Sequence, residues 1–470
     1  MTAVAEGPQP TRDAARRRRE QRGWVWYDWA NSVFPTSVVT VFLSLYLTSV
    51  AQNAARADTA RNGPDPCPGG DALRQCDLSL FGLSFPAGSL WGYLLSVATV
   101  VQVLVLPITG AIADRTQNKR RMLGIFAFAG ATATALLGLV AGADWQLGVV
   151  LFVLANISFG ASVVVYYAFL PEIATADERD AVSSRGWAFG YLGGGVALAA
   201  QLALFLTHES LGLGQADAVR IIFVTTGLWW AAFTLVPLAR LRRHQPPHGR
   251  ERGVATLGAG FRELGATLRA ARRFPLTLAF LGAYLIYTDG ISTVANVAGQ
   301  YGRFELRLAE DVLITTILIV QFIAFVGGVL HGLVARRFGA RRTILGSLLV
   351  WIAVVGAAYF VEAGQQLQFY GLAVGIGLVL GGTNALSRSL FSQMVPPGRE
   401  AQYFSLYEVG ERSTSWLGPL VFAGVGQATG SFRLAIISMV VFFVVGFVLV
   451  SLVPVRRAIR AVGNPEPKVL

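Results

Sequence analysis

Twelve apolar stretches, each about one bilayer thickness long when helical, recur along the chain. They run at roughly 24–51, 89–113, 122–141, 146–170, 186–207, 221–239, 275–298, 312–334, 343–361, 367–386, 403–428 and 434–453. A hydrocarbon core of about 30 Å needs about 20 helical residues. Lipid supplies no hydrogen bonds to a bare backbone, so such runs are expected to be helices. Composition agrees: 54% of the 470 residues are hydrophobic and 14% are charged, against about 25% charged in soluble chains. The 52 glycines, many inside apolar runs, suit close helix packing in lipid.

Charge orders these spans. Of 39 Lys and Arg residues, 31 fall in the segments that share a side with the termini, 7 fall on the opposite side, and Arg412 lies within a span. That bias places both termini in the cytoplasm. The net charge of +12 is spread in short bursts between spans, which argues against a nucleic-acid face. The run Arg16–Arg19 reads as a topology anchor, with no cleavable secretory signal. The expected organisation is a basic arm at 1–23, six helices at 24–240, a basic linker at 241–274 with an interfacial helix near 261–272, six helices at 275–454 and a tail at 455–470. Residues 52–88 form a polar external loop holding the two cysteines, Cys67 and Cys76. Two cysteines are too few for a zinc site, but an external loop permits a disulfide between them.

The halves echo each other. Gly110-Ala-Ile-Ala-Asp114-Arg115-Thr-Gln-Asn-Lys119-Arg120-Arg121 is matched at an offset of 222 by Gly332 to Arg342, and Arg179-Asp180-Ala181 by Arg399-Glu400-Ala401 at 220. Two echoes at nearly one offset imply two parallel six-helix repeats. The fold class is therefore an all-α membrane protein of twelve helices in two pseudo-symmetric bundles.

The loop from Gly110 to Arg121 resembles the signature loop of the major facilitator superfamily. The stretches YDWANSVF (27–34), FLPEIATADERDAVSSRGWAFGYLGGG (169–195), YTDG (287–290) and the run 384–422 together resemble the vacuole-effluxer-like family within it. That resemblance implies secondary transport by alternating access, with amino-acid efflux associated with its fungal members. It implies that Asp114 meets the start of helix 11 near Tyr403, with Arg115 and Arg121 holding the loop at the surface. In the second copy Arg336 replaces this aspartate, so the contact is expected once. It also implies that helices 1, 4, 7 and 10 line a cavity, which makes Asn31, Asn156, Tyr166, Asp289, Asn296 and Asn384 cavity candidates.

Ionisable groups inside spans are costly and mark function. Asp289 lies past mid-membrane and is the first candidate for a proton-coupling or amine-binding carboxylate, with Asp28 second; the plainer reading of Asp289 is a helix-to-helix hydrogen bond. Glu408 and Arg412 sit at i, i+4 and can pair. With Glu411, Arg388 and Asp28 they form a candidate charged network closing the inner mouth; a structural salt bridge is the alternative. Gly193–Gly195, Trp187 and His331 read as packing residues.

No ATP-binding loop, zinc-hydrolase helix or serine-nucleophile elbow is present. A carrier is therefore favoured over a pump or an enzyme. Carriage of sugars, drugs or organic ions, and a non-transporting receptor or scaffold, remain as alternatives. The expected setting is the inner cell membrane. The expected partners are lipid, a small-molecule solute and protons, with the chain a monomer and without cofactor or metal.

Overall fold

The computed structural model describes residues 9–63, 76–80, 82–115, 118–242, 265 and 269–470. Among these, eleven helices are long and apolar enough to cross a membrane: α1 (Ala14–Ala57), α2 (Ala87–Arg115), α3 (Lys119–Leu139), α4 (Trp145–Ile173), α5 (Arg179–Leu206), α6 (Gln215–Arg240), α7 (Pro275–Glu305), α8 (Asp311–Phe338), α9 (Ala340–Ala358), α10 (Gln366–Gln393) and α12 (Phe432–Leu452). The remaining crossing is interrupted. It consists of α11a (Glu400–Thr414) and α11b (Leu417–Thr429), neither long enough to span alone. Together these make the twelve crossings in two six-helix halves.

The break in helix 11 has a local cause. Pro419 has no N–H to offer the Ser415 carbonyl. Thr414 and Ser415 turn their hydroxyls back onto the carbonyls of Gly410 (3.1 Å) and Arg412 (2.9 Å). Another proline disturbs α1. Pro35 opens a π-helical stretch, Phe34–Phe42, one turn beyond Asp28 and Asn31. Such stretches frequently lie at functional sites.

Three segments carry structure that the sequence does not specify. In the basic arm, residues 14–23 are the helical start of α1, which at 44 residues and about 1.5 Å per residue is roughly twice the bilayer core. The tail is docked: Val455–Ala461 is helical, and Asn464 donates to the carbonyls of Gln393 and Val395 at 2.8 and 2.7 Å. The polar loop after α1 also has regular structure. It contains an antiparallel hairpin, β1 (Asp77–Leu80) with β2 (Leu83–Pro86), tied to α1 by Asn62, which donates to the Ala55 and Asp77 carbonyls and accepts from Asp77 N. Cys76 is buried and disulfide-bonded, while Cys67 lies outside the described residues, as do 1–8 and most of the linker.

The most continuous buried contact between the halves lies on the face that carries the termini, here the terminal face. One buried apolar cluster there runs from Trp24, Tyr166 and Ile173 into Leu390, Phe391 and Tyr403. Towards the opposite face lies a separate cluster of the first half around Phe42, Tyr46, Phe152 and Ile222, against which Ile314 and Leu318 of α8 pack. Glycines set the close approach of α1 and α5. A Cβ on Gly186, Gly190 or Gly193 would fall 2.5 Å from the Asp28 carboxylate, 2.6 Å from the Ser32 hydroxyl and 2.8 Å from the Trp29 carbonyl. The small-residue face of α5 thus serves packing, as its sequence suggests.

Gly193→Leu should force α1 and α5 apart and lower the melting temperature in detergent by several degrees, overpacking costing about 1–3 kcal/mol. Gly282→Ala, which meets nothing within 4 Å, should leave it unchanged.

Candidate functional site

The site is built around Arg388 on α10. Its side chain is wholly buried, which α10 achieves by facing α1, α4 and α5 at once. The guanidinium donates to the Ser183 hydroxyl and carbonyl, both at 2.9 Å, and to Asp28 Oδ2 through two nitrogens at 3.3 Å. Tyr166 donates to the same carboxylate oxygen at 2.8 Å. Four rings surround the cation: Trp24 and Tyr167 at 4.8 Å, Trp187 at 5.6 Å and Tyr166 at 5.7 Å from their centroids. Trp24 is held in place by its indole N–H on the Tyr166 carbonyl (2.8 Å). Each group offsets part of the cost of desolvating the charge.

Further contacts seal the terminal face around this pair. Arg179 donates to the Ser392 carbonyl (2.8 Å) and Gln393 (3.2 Å). Ser389 donates to Asp180 (2.6 Å), Gln393 to the Ala176 carbonyl (2.8 Å) and Lys468 N to Asp177 (2.7 Å). Asp114 accepts from the backbone N–H groups of Ala401 and Gln402, both at 2.9 Å. These are second and third residues of α11a, so Asp114 supplies from another helix the cap that Arg399 does not. Lys119 lies at 2.6 Å from Glu172, 3.6 Å from Asp114 and 4.0 Å from Glu400. Arg115 and Arg121 are exposed at the end of the same loop.

The helix 11 charges form a separate network nearer mid-membrane rather than joining Arg388 directly. Arg412 pairs with Glu408 and donates to Gln102 on α2 at 2.6 Å. Gln102 in turn donates to the Asn156 carbonyl on α4. Asn156 therefore takes part through its backbone. Glu411, by contrast, is held within the second half, where it accepts from Tyr284 on α7 at 2.7 Å.

Asp289 is not in the cavity wall. Its Oδ2 accepts from Gly418 N at 2.7 Å, capping α11b at the break, while Oδ1 is buried without a partner. A cavity of about 680 Å³ opens between the halves towards the face opposite the termini, lined by Thr40, Ser44, Asn296, Thr316, Gln321 and aromatic residues including Trp91 and Tyr301. Of the six cavity candidates, Asn296 lines it. Asn31 is buried beside Asp28, and Asn384 accepts from Thr288 at 3.5 Å. His331 bridges the Gly327 carbonyl and Ser347 within the second half, a packing role.

Sequence reasoning passed over Trp24, Tyr167, Ser183, Gln102, Glu172 and Glu400. Trp24 was within reach, since it stands one helical turn before Asp28 on the same face. The others become partners only through contacts between distant segments.

A family model described as "Vacuole effluxer Atg22 like" matches residues 16–463. The chain belongs to this family. Its relatives include an uncharacterized MFS-type transporter of Bacillus subtilis, 28% identical over 438 residues and covering 93% of this chain and 95% of that one. An autophagy-related protein 22-2 of Penicillium rubens is 26% identical over 560 residues, covering 97% and 91%. The crystal structure of the human organic anion transporter MFSD10 shares the fold, with a TM-score of 0.65 at 15% identity, covering 92% and 99%. The Atg22-like chain is thus a multi-pass secondary transporter of the major facilitator type, not an enzyme.

Removing one member of a buried ion pair costs about 3–5 kcal/mol, whereas replacing both with neutral groups costs far less. Asp28→Ala should therefore strongly reduce the yield of folded protein. Asp28→Asn combined with Arg388→Gln should recover much of it, read by size-exclusion profile and thermal melting.

Proposed function

We propose that this transporter moves an amino acid or a closely related small metabolite outward across the cell membrane, by alternating access and coupled to protons. The observation that carries the reading is the asymmetry of the two faces. One is closed by buried charge, and the other opens into a cavity between the halves. We take the terminal face as cytoplasmic on the strength of the 31-to-7 bias in basic residues, so this is an outward-open arrangement. The pair Asp28–Arg388, with the Asp114 cap, is the inner gate in this reading. The reverse state requires both to part.

The cavity volume falls in the range of small-molecule sites, about 300–1,000 Å³. The residues lining it carry hydroxyl and amide groups but no acidic carboxyl or basic side chain. The hydroxyl and amide groups can hydrogen-bond the ammonium and carboxylate of a zwitterion, whose two charges would otherwise be costly to desolvate, and the amino-acid efflux associated with the family's fungal members supports that class. The same neutral lining with Trp91 and Tyr301 also suits a sugar, the second reading. Asp289 is the proton-coupling candidate: an ionised carboxylate with one buried oxygen unpaired is costly in lipid, and a proton there relieves it.

Proteoliposomes with an imposed pH gradient test the proposal. Labelled neutral amino acids should move and sugars should not. Movement of sugars alone would select the second reading, and movement of neither in a folded preparation would end both. Asp289→Asn should retain solute exchange while losing the response to the gradient; an unchanged response would remove it as the coupling site.

A further inference from the structure

The terminal face carries a second pocket, distinct from the central pathway. It is about 590 Å³ in volume and lies among α1, α5, α6 and α8. Five arginines line it: Arg18 and Arg22 from the helical extension of α1, Arg185 from α5, Arg240 from the end of α6 and Arg336 from the end of α8. Two carboxylates share the lining, fewer than the arginines, and both accept from neutral donors rather than from a guanidinium. Glu178 accepts from Gln21 (3.2 Å) and from Thr175 N (3.0 Å), and Asp177 accepts from Lys468 N (2.7 Å). Among the described residues, none of the five arginines has a carboxylate partner within 4.0 Å. The convergence is built, not incidental. Gly23 brings α1 so close to α6 that a Cβ there would lie 2.5 Å from that of Arg240, which stacks the α1 arginines over the end of α6.

The repeat makes the contrast plain. On the α2 and α11a side, Lys119 is surrounded by Asp114, Glu172 and Glu400. On the pseudo-symmetric side Arg336 stands at the position of Asp114, and the five arginines outnumber the two carboxylates in the lining, Asp177 and Glu178. Beneath the arginine rim the lining turns apolar, with Val25, Trp26, Val182 and Phe189. Trp26 is itself stacked on Phe233, ring centroids 5.7 Å apart. A cationic rim over an aromatic floor at the end of membrane helices matches a molecule with a phosphodiester above and hydrocarbon below. A free phosphate would leave the floor unused.

We propose that this pocket binds the headgroup of an anionic phospholipid from the leaflet on the terminal face. The arginines hold the phosphodiester, and the glycerol and first methylenes lie on Trp26 and Phe189. The site is independent of which solute the central pathway carries.

Native mass spectrometry of the detergent-purified full chain, titrated with phosphatidylglycerol, tests it. The wild type should retain one lipid more tightly than phosphatidylcholine. Arg22→Gln with Arg336→Gln should weaken phosphatidylglycerol binding about tenfold or more, each near-surface basic residue being worth about 1 kcal/mol. Arg457→Gln, exposed on the C-terminal helix, should not change it. Gel-filtration profiles matching the wild type establish that the variants are folded. Equal binding of the two lipids, unchanged binding in the double variant, or displacement of the lipid by equimolar inorganic phosphate would each overturn the proposal.

Discussion

A guanidinium with no exposure to solvent, set between two halves of a membrane protein, constrains everything around it. Arg388 cannot shed its proton and cannot stay unpaired in so apolar a setting. It therefore recruits a carboxylate from α1, a hydroxyl and a carbonyl from α5, and aromatic faces from α1, α4 and α5. α10 belongs to the second half, and all of those partners belong to the first. The arrangement is consequently satisfied only when the halves meet on the terminal face. The glycines of α5 follow from this, because a larger residue at Gly186 would occupy the space of the Asp28 carboxylate. A buried charge shared across a moving interface favours one conformation without locking it, since water entering the opened face can solvate the same groups.

The repeat is symmetric in backbone and unsymmetric in charge. Gly110 and Gly332 play the same part, allowing α2 to approach α11a and α8 to approach α5. Asp114 and Arg336 do not. One side is closed by a carboxylate on two backbone N–H groups, whereas the other is closed by side chains of Arg179, Asp180 and Ser183 acting on the end of α10. The two seams therefore differ in chemistry, and the arginine-lined pocket lies beside the second.

Much of the architecture was legible because lipid simplifies the problem. Span length, the bias of basic residues and the repeat each follow from one physical rule, and the spans agree with the structure to within a few residues at most ends. Asp114 on the start of helix 11 and the Asp28–Arg388 pair were also within reach, through a recognisable loop and the cost of intramembrane charge. The break at Ser415–Trp416 was signalled by Pro419, but hydropathy carried the span across it. The role of Asp289 at that break depends on a contact between residues 129 positions apart, and periodicity carries no such information. The separation of the helix 11 charges from Arg388 is set by which face of α11a meets α2 and α7, again a matter of tertiary packing. The docked tail and the external hairpin were missed because short polar segments carry little pattern.

The central claim is that the buried pair on α1 and α10 holds the terminal face closed. Spin labels at Thr175 and Pro397, exposed on the connections that follow α4 and α10, would report that separation by pulsed electron-electron resonance in lipid nanodiscs. The wild type should show a predominant short distance, and Arg388→Gln in a folded sample should add a clearly longer population. A single unchanged distance in the variant would contradict the account.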